Sequence, residues 1–177
     1  DPCQDHKQVG EGDTGPNTGG MGAYCPTPLV DAALMAKIEK DILVPTIDAL
    51  RREGITYRGV LYAGLMLTQG GPKVLEYNCR FGDPECQPLM ARFDGDLIEA
   101  FWAVATGTLD DVSFTIDPRV GCCVVVCSGG YPGPIQKGLP IGGLDALAYL
   151  PRGGEELIAF HSGTASVSSG FAFLHQR

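Results

Sequence analysis

Glu76, Asn78 and Arg80 stand two residues apart in Leu75-Glu76-Tyr77-Asn78-Cys79-Arg80-Phe81-Gly82-Asp83-Pro84-Glu85. Residues two apart on a β-strand share a face. The spacing predicts a carboxylate, an amide and a guanidinium on one side, with Tyr77 and Cys79 on the other. Such a row is costly to bury and useful in a cleft. Glu76 and Asn78 offer hard oxygen ligands for Mg²⁺, and Arg80 beyond them suits an anionic substrate. A strand with one solvated face also carries polar residues at this spacing, so E-x-N-x-R alone leaves both readings open. Cys79 reads as a packed thiol on the opposite face.

The elements that must hold this row are legible around it. Tyr57, Val60, Leu61, Tyr62, Leu65, Met66 and Leu67 predict a strand over 56–68, with Gly59 and Gly64 as candidate bulges. Gln69-Gly70-Gly71-Pro72 is a turn, and 73–79 returns antiparallel. The row therefore sits on a hairpin arm. Gly82-Asp83-Pro84-Glu85 reads as a helix start, with Asp83 as N-cap, Pro84 at the first position and Glu85 at the positive end.

A second chemical candidate is Gly10–Gly22, which is dense in glycine and carries Asp13, Thr14, Asn17 and Thr18. It reads either as an ordinary surface loop or as a loop whose backbone N–H groups approach an anion or nucleotide. No Gly-Lys-Ser/Thr follows, so it is not a Walker A loop.

The 177 residues are 44% hydrophobic and 19% charged, enough to build a core. A net charge of -8 argues against a nonspecific nucleic-acid surface but not against phosphorylated small molecules held locally. Seven cysteines at irregular spacing favour neither zinc nor a disulfide scaffold, and point to a reducing cytosolic or organellar interior, with cytoplasmic the expected location. Cys122, Cys123 and Cys127 read as buried thiols in a central apolar strand, 120–127. No run is long and apolar enough for a membrane span. The opening Asp1–Lys7 is polar and has neither signal peptide nor initiator methionine, which reads as a fragment or a processed chain.

Elsewhere a helix is expected from Asp31, broken or restarted at Pro45 and continued through Ile47 and Leu50 to Arg51 and Arg52. Another runs from Asp96 to about Thr106 and carries Trp102, read as a core or interdomain residue. Short strands are expected near 113–116 and 157–161, and Tyr131 and Lys137 flank a candidate binding turn. His6, His161 and His175 form no local metal signature, and structural roles are the default for them. Residues 162–177 show little pattern.

Three blocks together resemble the phosphoribosylamine–glycine ligase (glycinamide ribonucleotide synthetase) family of ATP-grasp enzymes. They are DHKQVGEGDTGPNTGGMGAY at 5–24, YRGVLYAGLMLTQGGPKVLEYNCRFGDPECQPLMARFDGDL at 57–97, and CSGGYPGPIQKG at 127–138, with FHSGTA at 160–165 as a shorter echo. The resemblance implies an α+β fold. Residues 1–109 would be the C-terminal part of an ATP-grasp domain with antiparallel sheet and flanking helices. Residues 110–177 would be an incomplete small β-rich C-terminal ligase domain.

It further implies Mg²⁺ or Mn²⁺ at Glu76 and Asn78, with ATP as cosubstrate. Arg80 falls beside the transferring phosphoryl group and the substrate carboxylate. Asp13, Asn17, Thr18, Gly19 and Asp83 become candidate substrate contacts on the loop over the cleft and beside it. Asp83 and Glu85 either orient the site or only cap the helix. The implied reaction joins glycine to 5-phosphoribosylamine through a glycyl phosphate, in purine biosynthesis. The family's N-terminal region and ATP-binding subdomain are expected upstream of these residues, so the isolated chain is expected to be a poor or inactive ligase, with self-association through uncovered apolar surfaces. No nucleic-acid or membrane partner is expected. Another ATP-grasp carboxylate–amine ligase, or a noncatalytic assembly fragment, stands beside this reading.

Overall fold

A computed structural model describes residues 1–149, 157–167 and 170–173. The expected identity of His175 as a structural residue lies outside the described residues. Helices and antiparallel strand pairs alternate, as expected of an α+β chain. Cα proximity divides the chain into two compact units. One comprises residues 1–5 and 22–123, the other residues 6–21 and 124–177.

In the first unit, helix α1 (Ala32–Ile38) starts where expected, because the Asp31 carboxylate accepts the Leu34 N–H at 2.7 Å. The helix restarts at Pro45 rather than breaking there. A π-helical turn over Glu39–Leu43 carries the backbone into α2 (Val44–Arg52), with Pro45 in its first turn. Proline is tolerated there because the first N–H groups of a helix lack intrahelical partners.

Strands β3 (Tyr62–Thr68) and β4 (Gly71–Asn78) form the expected antiparallel hairpin, pairing Tyr62 with Asn78 and Thr68 with Gly71. β3 is shorter than expected, starting at Tyr62. The register shifts between Gly64 and Leu65, as the glycine suggested. A Cβ on Gly64 would lie 3.0 Å from Glu76 Cγ, so the bare backbone leaves room for the Glu76 stem. On the other face, the Tyr77 hydroxyl meets Thr46 Oγ1 of α2 at 2.7 Å. Alternation along β4 thus sends Glu76 and Tyr77 to opposite sides.

Helix α3 spans Cys86–Arg92 and begins later than Asp83 would dictate. Glu85 occupies its N-cap position without a side-chain capping bond, and Asp83 Oδ1 instead accepts from Gln87 Nε2 at 2.9 Å. The expected cap is corrected here: Glu85, not Asp83, holds the N-cap position, and the Asp83 carboxylate takes a side-chain donor from α3. α3 runs into the two-residue strand β5 (Phe93–Asp94), paired with β6 (Thr115–Ile116). Between them lies α4 (Leu97–Thr106), whose N-cap Asp96 accepts from both Ile98 N and Glu99 N at 2.9 Å.

Arg92 is a buried hub of this unit, 6% exposed. It donates to the carbonyls of Asp117 and Arg119, to Asp1 Oδ2 at 2.8 Å and to Cys25 Sγ at 3.1 Å. These four acceptors satisfy a cation that would otherwise be costly to bury. Burial, helped by neighbouring Cys25, pushes the Cys3 thiol up to about 12.

The glycine-dense segment is not the loop it reads as. Most of it is strand: β2 runs over Thr14–Cys25 and is the central member of the order β1–β2–β7, with β1 at Gln4–Gly10 and β7 at Gly121–Val124. Hydrophobic alternation is missing because the ladder, not burial, orders it. In the second unit, Asp13 closes the β1–β2 turn with φ of 55°, a left-handed conformation that aspartate tolerates better than most residues. Strands β8 (Pro140–Ile141), β9 (Thr164–Val167) and β10 (Gly170–Phe173) form a small antiparallel sheet in the order β8–β10–β9. The strand expected at 157–161 is absent, and pairing begins only at Thr164.

Three burial expectations also need correction. β7 is an edge strand, not a central one, and Cys122 is exposed while Cys123 and Cys127 are half-buried. Cys79 is exposed, whereas Cys25 is the fully buried thiol. Trp102 is 71% exposed and Ile98 82%, which corrects only the core half of the core-or-interdomain reading of Trp102. α4 turns Ala100 and Ala103 inward instead, because small side chains allow close packing against its neighbours.

Candidate active site

In the first unit, β4 sets Glu76 and Asn78 side by side on one face, with Asn78 Nδ2 donating to Glu76 Oε1 at 3.2 Å. Arg80 follows just past the strand, exposed, with one guanidinium N–H on the Phe81 carbonyl at 2.9 Å. The remaining N–H groups keep their fork for an anion. Glu76 and Asn78 thus share one face, while Arg80 lies beyond the strand end, outside its alternation.

The donor set suits a divalent cation. Carboxylate and amide oxygens are the hard ligands Mg²⁺ and Mn²⁺ take, and Mg²⁺ is commonly held by one or two protein groups plus phosphate oxygens and water. Among the described residues, no group of three or more His, Cys, Asp or Glu forms a cage. A cation at Glu76 and Asn78 would thus draw its other ligands from a bound polyphosphate and from water.

Glu85 is the feature that the sequence left undecided. It is 3% exposed. Tyr62 donates its hydroxyl to Oε1 at 2.7 Å, and Oε2 has no hydrogen-bond partner. A Cβ on Gly82 would collide with this carboxyl group, so Gly82 is what makes room for it. Capping does not explain the residue, because its side chain makes no cap bond. Burial, then the hydrogen bond to Glu85, then the charges of Glu85, Asp5 and Glu76 push the Tyr62 phenol upward. In the sequence Tyr62 reads only as a strand residue. The signal was available, since the hairpin register pairs it with Asn78.

The second unit holds the other candidates. Asp13 Oδ1 lies 3.4 Å from His6 Nδ1 at the hairpin turn. Asn17 is exposed on β2. Thr18 turns its hydroxyl into the structure, donating to the Lys7 carbonyl at 2.8 Å and accepting from Gly20 N at 3.0 Å. Gly19 donates its N–H to the Tyr131 hydroxyl at 3.2 Å. Tyr131, 9% exposed, is one of the two residues read as flanking a candidate binding turn. Its partner lies 112 residues away, a pairing that no local pattern announces.

Residues 1–86 match the family model described as phosphoribosylglycinamide synthetase, ATP-grasp (A) domain. A phosphoribosylamine–glycine ligase of Rhodopirellula baltica is 52% identical over 167 residues, 94% of this chain and 37% of that protein. This chain belongs to the phosphoribosylamine–glycine ligase family. The trifunctional purine biosynthetic protein adenosine-3 of Gallus gallus is 50% identical over 93% of the chain and 16% of its own length. The crystal structure of phosphoribosylamine–glycine ligase from Thermotoga maritima superposes with a TM-score of 0.72 at 31% identity, covering 99% of this chain and 41% of that one. The ligase of R. baltica and its bacterial counterparts are thus spanned over somewhat more than a third of their length.

Proposed function

We propose that these residues form part of a ligase that joins glycine to 5-phosphoribosylamine at the expense of ATP. Residues 1–109 would contribute the C-terminal part of the ATP-grasp domain and residues 110–177 part of the C-terminal domain. The observation that carries the reading is the Glu76–Asn78 pair with Arg80 beyond it, on a hairpin matched by ligases at about half identity.

A glycine carboxylate oxygen attacks the γ-phosphorus of ATP. The bond from that phosphorus to the β–γ bridging oxygen breaks, and ADP leaves. The amine of phosphoribosylamine then attacks the acyl carbon of glycyl phosphate. The carbon–oxygen bond to phosphate breaks, inorganic phosphate leaves, and the nitrogen sheds a proton.

A bound Mg²⁺ or Mn²⁺ supplies charge neutralisation on the transferring phosphoryl group. Glu76 and Asn78 would hold that cation. Arg80 is the catalytic cation: it orients the substrate carboxylate and balances charge that develops on the phosphoryl oxygens. Asp13, Asn17, Thr18, Gly19 and Asp83 are the substrate-binding set. Thr18 acts through its backbone, since its hydroxyl is engaged in the hairpin. The unpaired Oε2 of Glu85 suits an ammonium donor such as the glycine amine.

ATP, glycine and phosphoribosylamine are then the partners, and purine synthesis the setting. Seven free thiols support a reducing, cytoplasmic location. Among the described residues, no helix is long and apolar enough to cross a membrane.

The test is a hybrid in which these residues replace the matched 167 of the R. baltica ligase. Glycine- and phosphoribosylamine-dependent ADP release is expected from the hybrid and not from the 177-residue chain alone. A folded, monodisperse hybrid with no such release would reject the ligase reading.

A further inference from the structure

Between Thr14 and Met21 the second strand carries three glycines, and two of them, Gly15 and Gly20, have φ of 83° and 125°. Backbone of this kind has little intrinsic stiffness. A strand that presents substrate contacts needs its geometry imposed from outside, because small displacements of positioned groups are costly in catalysis.

Two side-chain hydroxyls impose it at consecutive amides. Thr18 Oγ1 accepts from Gly20 N, and the Tyr131 hydroxyl accepts from Gly19 N. Thr18 is local to the strand. Tyr131 arrives from a separate segment, which also ties itself to the strand through Val125 N on the Met21 carbonyl at 2.9 Å. That segment is closed on itself by Ser128, whose hydroxyl donates to the Gln136 carbonyl at 3.0 Å. The Tyr131 ring is almost wholly buried, so its hydroxyl has a fixed origin. A tyrosine has only two side-chain torsions to fix, which makes it an efficient brace.

The geometry points to Tyr131 as a positioning residue for the substrate-binding strand. We infer that its phenol sets the placement of Asn17–Gly20 through the Gly19 amide, and that this placement governs affinity for phosphoribosylamine. The Gly19 N–H is already taken by the phenol, so Gly19 serves the substrate by its lack of a side chain. This inference rests on the ligase reading above.

Tyr131→Phe removes the acceptor and keeps the buried ring. In the 177-residue chain, amide exchange at Gly19 is expected to accelerate roughly three- to tenfold, the worth of one such hydrogen bond. Exchange at Ala100 and Ala103 in α4 should not change. In the hybrid ligase, KM for phosphoribosylamine is expected to rise about fivefold, with kcat and the KM values for glycine and ATP within twofold.

Unchanged exchange at Gly19 would refute the brace. Faster exchange with an unchanged phosphoribosylamine KM would refute its positioning role. A uniform fall in kcat and all three affinities would mark Tyr131 as merely structural. If the parent hybrid shows no turnover while Gly19 is protected, the ligase reading fails and takes the substrate role of Tyr131 with it.

Discussion

The Tyr62 hydroxyl donates a 2.7 Å hydrogen bond to Oε1 of Glu85 and leaves Oε2 of the same buried carboxyl group without a partner. Folding leaves few buried polar atoms in that condition, because each costs about 1–3 kcal/mol. In the proposed site, a ligand's ammonium group would supply the missing donor. Strain and unmet polar groups concentrate at functional sites for this reason.

Glu85→Gln separates the two roles of this group. It keeps Oε1-type acceptance from Tyr62 and removes the carboxylate charge. Stability by urea unfolding should stay within about 1 kcal/mol of the parent or rise. Ligase turnover in the hybrid should fall at least about tenfold. A loss of stability with turnover intact would assign Glu85 to the fold.

Tyr62→Phe should cost about 1.5–3 kcal/mol at pH 7, the range for a hydrogen bond to a charged group. The pH dependence has a definite sign. The phenol is held above its ordinary value of 10 in the folded chain, so folding favours the protonated form. That stabilisation is complete below pH 10 and fades as pH rises through the elevated folded value. Urea midpoints from pH 8 to 11 should decline more steeply above pH 10 in the parent than in Tyr62→Phe, which keeps the contribution of the raised Cys3 thiol.

Glu76→Gln should leave the fold intact, because the side chain is exposed and its recorded hydrogen bond joins it to Asn78. Surface substitutions of this kind usually change stability by less than about 0.5 kcal/mol. In the hybrid, the Mg²⁺ concentration for half-maximal turnover should rise about tenfold or more. Equal activity with the same metal dependence would remove Glu76 from the cation site.

Asp96→Ala tests the architecture away from the chemistry. The carboxylate caps two amides of α4, and its loss should cost about 1 kcal/mol. Chemical denaturation reads this directly. A change below about 0.3 kcal/mol would show that water replaces the cap.

Ile98, Phe101 and Trp102 form an exposed apolar stripe at helical spacing on α4. The isolated chain is therefore expected to self-associate as concentration rises. Sedimentation velocity on the parent and on Trp102→Lys should show weaker association in the variant. Identical concentration dependence would place the contact elsewhere.

What could be read from the residues was what local physics decides. Asp31 and Asp96 announced helix starts because their carboxylates meet amides within three residues. The Gln69–Pro72 turn fixed the hairpin, and the hairpin fixed the Glu76–Asn78 row. Three things depended on distant partners and stayed hidden. The glycines of β2 looked like loop because their order comes from neighbouring strands. The valines and cysteines of 120–127 looked central because an apolar run does not say what covers it. Tyr131 looked like a turn residue because its partner, Gly19, is 112 positions earlier.

The π-helical turn at Glu39–Leu43 has a consequence for how this chain tolerates insertions and deletions. Its closing bond runs from Val44 N to the Glu39 carbonyl, one residue longer than an α-helical step. The extra residue works as a phase shifter: everything after it is rotated by about 100° relative to an uninterrupted helix. Thr46 owes its meeting with Tyr77 to that rotation. Removing one residue from the turn would give a smoother helix and still turn Thr46 away from the back of the strand that carries Glu76 and Asn78.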